Sequence, residues 1–89
     1  MSELLHLLTY DYVEDMAERR APHREGHLAL IRRFQADGRL AIAGALGVPP
    51  RQGLLAFRDA ADAEAFVAED PYVAAGLVVD RRVEPWAVV

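Results

Sequence analysis

Apolar residues recur along this chain with two different periods, and the change of period marks alternating strands and helices. Leu4 to Tyr12 is rich in Leu, Thr and Tyr and too short for a long helix, so it reads as a first strand. Alternation puts Leu4 and Leu8 on one face and Leu5 and Leu7 on the other. A strand that is apolar on both sides is one that is covered on both sides. Asp15 is placed to cap a short turn over residues 15–20, with Glu18 at the capping-box position. Pro22 fits only the first turn of a helix. From there His27, Leu30, Ile31 and Phe34 fall on one helical stripe, and Gly38 is a suitable stop. The pattern predicts a helix from about Pro22 to Asp37.

Leu40 to Leu46 reads as a second strand, in which Gly44 marks a bulge or a close backbone approach. The Gly and Pro content of Gly47 to Gly53 predicts a loop, followed by a third strand over Leu54 to Arg58. Asp59 or Asp62 caps a second helix whose inward stripe is Ala63, Phe66 and Val67. That helix must end before Pro71, because the residue preceding a proline is pushed out of helical geometry. Pro71 to Ala75 forms one further short turn, stopped by Gly76. Leu77 to Val89 is a fourth strand, with Leu77, Val79, Val83 and Ala87 expected on one face and Asp80, Arg82 and Glu84 on the other. No repeat, linker or low-complexity run divides residues 1–89, so one domain is expected. The order β-α-β-β-α-β is the ferredoxin-like α+β arrangement, with two helices on one face of a four-stranded antiparallel sheet.

Composition changes that picture in one respect. Hydrophobic residues make up 53% of only 89 positions, and there is no cysteine to add a disulfide. The sheet face without helices would be an apolar patch, which a second copy of the chain can cover, so a homodimer is expected. A net charge of −4 argues against nucleic acid as a partner. The first residues lack a basic region, and no apolar run approaches the roughly 20 residues of a membrane span. A cytoplasmic protein is the expectation.

The residues able to do chemistry are few. His6 lies mid-strand among leucines and reads as a packed histidine. His23 and His27 are four apart, one above the other on a helix, and His27 sits on the apolar stripe where a polar ring needs a partner. Asp70, locked before Pro71, is either a helix terminator or that partner; a carboxylate orients an imidazole and stabilises its charged form. A metal is disfavoured, since the spacer Arg24-Glu25-Gly26 lacks HExxH order and Arg24 would bring positive charge to the ion. Arg20 and Arg24 can bind an anionic group, and Tyr10, Asp11 and Tyr12 can line the same mouth. No phosphate loop, nucleotide fingerprint or nucleophile elbow is present.

Arg24-Glu25-Gly26-His27-Leu28, Asp37-Gly38-Arg39-Leu40, Ala43-Gly44 and Asp70-Pro71-Tyr72-Val73-Ala74-Ala75-Gly76-Leu77 together resemble the YCII-related family over nearly the whole chain. The resemblance implies a dimeric α+β barrel, in which two ferredoxin-like sheets pack face to face. It also implies an active site on a histidine–aspartate pair, which falls on His27 and Asp70. The residues expected in contact with substrate are Arg20, His23, Arg24, Tyr10, Asp11, Gly44 and Tyr72. The family includes a chlorinated-hydroquinone dehydrochlorinase. The function expected is therefore a lyase or isomerase of small molecules that uses no cofactor. The alternative is a module that binds a small ligand, anionic in either case, without turning it over.

Overall fold

Four strands, β1 (Glu3–Tyr12), β2 (Leu40–Leu46), β3 (Gln52–Phe57) and β4 (Val78–Val88), form one antiparallel sheet in the order β2-β3-β1-β4. The structure, a computed structural model, describes residues 3–89. Between the strands run α1 (Met16–Arg19), a 3₁₀ turn (Ala21–His23), α2 (Arg24–Ala36), α3 (Ala60–Glu69) and α4 (Pro71–Ala74). This is the ferredoxin-like α+β fold. Central β1 sets Leu8 opposite Leu55 of β3 and Val83 of β4, and this row faces the helices.

An aromatic cluster joins the two layers. Phe34 of α2, Phe57 of β3 and Phe66 of α3 are fully buried, with ring centroids 5.2 to 6.1 Å apart. The Phe34 ring stands nearly perpendicular to each of the other two, an arrangement that adds to the area each buries. The opposite face of the sheet carries Leu7, Leu54, Ala56, Ile42 and Trp86 by register, with Trp86 directly opposite Leu5. No helix covers that face, and Ile42 and Trp86 remain exposed.

Local signals end the helices as expected. Asp59 accepts a hydrogen bond from the Ala61 amide at 3.1 Å and caps α3, leaving Asp62 in its first turn. Gly38 ends α2 at φ +77°, and Gly76 frees the chain into β4 at φ +73°. Asp15 precedes α1, but its carboxylate caps nothing; its backbone is not extended as a capping residue requires, and the side chain lies 3.6 Å from Arg19 instead.

Three further expectations fail. The loop after β2 is shorter than Gly47–Gly53, because Gln52 and Gly53 already pair with Asp11 and Tyr10. The bulge in β2 falls between Leu40 and Ile42, while Gly44 pairs regularly with Leu54. A second bulge, between Asp11 and Tyr12 opposite residues 78–80, throws Val79 out of register. Val79 is 65% exposed, and Val78 packs on the core in its place. Ala87 keeps its face but lies exposed beside Leu4 at the end of the sheet. Among the described residues no helix is long and apolar enough to cross a membrane.

Truncating Phe34 to alanine should cost about 3–5 kcal/mol, since it opens a cavity between both helices and β3. Replacing exposed Arg33, which pairs with Glu69 at 2.6 Å, should cost under about 1 kcal/mol. Urea unfolding of the two variants measures the contrast.

Candidate active site

The site grows from the corner where α3 stops. Pro71 forces Asp70 into extended geometry, φ −72° and ψ 119°, and this turns the carboxylate back over the start of α4. Oδ1 accepts a hydrogen bond from the Tyr72 amide at 3.0 Å and lies 2.8 Å from His27 Nδ1. Oδ2 accepts one from the Tyr10 hydroxyl at 2.9 Å. The residue is only 1% exposed, so these donors replace the water an ionised carboxylate would otherwise need. An ionised carboxylate only accepts, so His27 Nδ1 is the nitrogen that carries the proton.

His27 arrives from α2 and is 6% exposed. Its ring stacks on Tyr72, with centroids 3.8 Å apart and planes 8° from parallel, and meets Phe66 edge-on at 6.0 Å. Gly26 makes this approach possible: a Cβ there would lie 3.1 Å from Pro71 Cγ. The imidazole is held by a carboxylate at one nitrogen and by the Tyr72 ring stacked on its face.

The other nitrogen, Nε2, has no partner among the described residues and is not sealed from solvent. His27 lines a cavity of about 220 Å³. Leu28, Ile31 and Leu55 make its apolar wall, and Ala43, Gly44 and Ala45 of β2 its floor. Its polar groups are His27, Tyr12, Tyr72, Arg20 and Arg24. Neither Arg20 nor Arg24 has a carboxylate within ion-pair distance among the described residues, whereas Arg19, Arg33, Arg39, Arg58, Arg81 and Arg82 do.

All three tyrosines hold their protons more tightly than a free phenol. Burial is the main cause for Tyr10, reinforced by the charge of Asp70. Burial also dominates for Tyr12, with Tyr72 and Asp70 adding to it. For Tyr72 burial raises the value while the guanidinium groups of Arg20 and Arg24 pull it back. Each is a neutral hydrogen-bond donor at neutral pH.

Not every candidate reaches the cavity. Tyr10 is fully buried and stands behind Asp70 rather than in the wall. Asp11 points to the opposite face of the sheet, because strand neighbours alternate; it accepts from Gln52 at 2.7 Å and lies 3.7 Å from Arg82. His23 sits in the 3₁₀ turn, not one helical turn above His27, and is absent from the lining. His6 is half-buried in β1. Arg20, Arg24, Gly44, Tyr72 and His27 do line the cavity, as does Leu55, which the sequence did not mark out as a site residue. Leu55 was legible only as a strand apolar residue. Among the described residues no group of three or more His, Asp or Glu is arranged to hold a metal.

A YCII-related domain matches residues 4–87. A solved structure similar to this chain is 5-chloro-2-hydroxyhydroquinone dehydrochlorinase (TftG) from Burkholderia phenoliruptrix AC1100, in complex with 2,5-dihydroxybenzoquinone. It superposes with a TM-score of 0.74 at 21% identity, over 92% of each chain. NE2512, a protein of unknown function from Nitrosomonas europaea, has a TM-score of 0.57 at 20% identity, over 100% of this chain and 91% of its own. A NIPSNAP-like domain protein from Burkholderia xenovorans has a TM-score of 0.51 at 18% identity, over 97% and 83%. No curated protein sequence matches.

The tyrosines set an alkaline limit on stability. Their folded-state pKa values lie above the ordinary 10.0, so the native chain binds protons that the unfolded chain releases. That contribution is complete below about pH 10 and is lost as pH rises from there toward the folded values. The melting temperature should hold steady from about pH 7 to 9 and fall above about pH 10. Tyr10→Phe should melt lower at neutral pH yet decline less steeply in alkali, as calorimetry at stepped pH would register.

Proposed function

This chain belongs to the YCII-related family, and we propose that it is a lyase or isomerase of small molecules, with His27 moving a proton and Asp70 orienting the ring. One observation carries the reading: Nδ1 is tied to a buried carboxylate while Nε2 opens on a cavity. An imidazole held only for packing has no need of an accessible nitrogen. Neutral Nε2 takes a proton from a hydroxyl or carbon of the ligand, and Asp70 stabilises the imidazolium that results. In an isomerisation the same nitrogen returns the proton to a different atom. In an elimination the electron pair left on the ligand expels an anion such as chloride, and the proton and anion depart as the acid. No cofactor enters either sequence.

Two guanidinium groups without carboxylate partners, beside an apolar wall, suit a small, flat, anionic ligand. A hydroxylated six-membered ring meets that description, and the dehydrochlorinase of similar fold acts on one. We also propose that the protein is a cytoplasmic homodimer, its two bare sheet faces packed together as a dimeric α+β barrel. Leu7, Leu54 and Trp86 line an apolar hollow of about 340 Å³ on that face, with Ile42 at its edge. A second copy supplies a matching surface by symmetry.

The test uses 2,5-dihydroxybenzoquinone as a coloured probe and 5-chloro-2-hydroxyhydroquinone as a trial substrate. The wild type should bind the probe and release chloride from the substrate. His27→Asn should lower the release at least 100-fold, the usual scale for losing a general base. Binding without chloride release or any other turnover would favour the ligand-binding module instead. Light scattering should give twice the chain mass, and Trp86→Asp should reduce it toward the monomer.

A further inference from the structure

The wall of the cavity holds a second polar group whose position is fixed by an unusual contact. Tyr12 is the last residue of β1, and its ring lies across Gly53 of β3. A Cβ on Gly53 would lie 2.9 Å from Tyr12 Cζ and closer still to its hydroxyl oxygen. Gly53 has an ordinary backbone conformation, without positive φ, so glycine is required here by space alone. Any larger residue would push the phenol off the strand and out of its place in the cavity.

The ring is also held from above. It stands 6.1 Å from Tyr72, edge to face, and 6.1 Å from Tyr10. Yet its hydroxyl has no hydrogen-bond partner among the described residues and is not sealed from solvent. The other hydroxyl of this strand, on Tyr10, is committed to Asp70. A phenol placed with such care, open to the same cavity as Nε2, has a free donor to offer.

We infer that Tyr12 is a ligand-contacting residue whose hydroxyl donates a hydrogen bond to an oxygen of the bound molecule, with Gly53 as the residue that positions it. The inference rests on the proposed proton transfer at His27 and deepens it. When Nε2 removes a proton, the negative charge left on the ligand spreads to its oxygens. A neutral phenol aimed at one of them stabilises that charge without moving a proton itself. The substrate class narrows accordingly: it carries an oxo or phenolate oxygen conjugated to the atom that loses the proton.

The chain has three tyrosines, so protein labelled with ¹³C at tyrosine Cζ gives three resonances. On titration with 2,5-dihydroxybenzoquinone the Tyr12 and Tyr72 signals should move, and that of Tyr10, behind Asp70, should stay. Tyr12→Phe keeps the ring over Gly53 and should weaken probe binding about tenfold, the scale of one lost hydrogen bond. Its melting temperature should stay within a few degrees of wild type. Gly53→Ala should weaken binding as much, through displacement. Binding that survives Tyr12→Phe undiminished, or a Tyr12 resonance that ignores the probe, overturns the inference. If His27→Asn still lowers turnover in that case, the proton-transfer reading stands alone. No binding to wild type would overturn both.

Discussion

A single buried carboxylate sets the terms for the rest of this molecule. Asp70 gathers a hydroxyl from β1, an imidazole from α2 and an amide from α4, and it does so almost out of reach of water. Such a charge is tolerated only when every donor arrives together, because removing one leaves the others and the charge unsatisfied. The demand fixes more than the site. A slip of β1 by one residue would bring Thr9 or Asp11 to the place of Tyr10, and Asp11 would set two carboxylates side by side. A turn of α2 about its axis would take His27 off the stripe it shares with Leu30 and Phe34. Strand register and helix rotation are thus tied to one polar contact as well as to the apolar core.

What could be read from the chain beforehand follows from how local each cause is. The α2 stripe, the stop at Gly38, the cap at Asp59 and the break before Pro71 are decided within a turn or two, and the order of elements settles the topology. The need of His27 for a polar partner was readable too, because a polar ring on an apolar stripe asks for one. The choice of Asp70, however, came from the resemblance to the YCII-related family. The misreadings involve contacts between distant segments. Gly53 looks like loop glycine, yet its reason is the ring of Tyr12 on the neighbouring strand. The bulge that exposes Val79 comes from fitting β4 against β1, which the alternation within β4 alone does not contain. Tyr10 and Tyr12 look equivalent in the sequence and share a face, but one serves the carboxylate and the other the cavity.

The sheet divides the work between its faces, and β2 is where they meet. Ala43, Gly44 and Ala45 border both the cavity under the helices and the apolar hollow on the bare side. Small residues at an edge strand make a thin wall between the two hollows. A partner packed against the bare face would stiffen the floor of the cavity.

The charges are arranged with the same economy. The chain as a whole is acidic, at −4, and the nearest buried charge to the cavity is the carboxylate of Asp70. That negative charge is turned inward and screened from the cavity by His27, whose ring stands between. Outward-facing Arg20 and Arg24 are left without carboxylate partners, so the mouth is locally positive on an acidic molecule. The tyrosines stay neutral, since burial keeps their protons in place, and so they add donors without adding charge. Within the cavity only His27 combines an accessible nitrogen with a neighbour able to stabilise its protonated form. The proposed proton transfer therefore rests on one atom, Nε2.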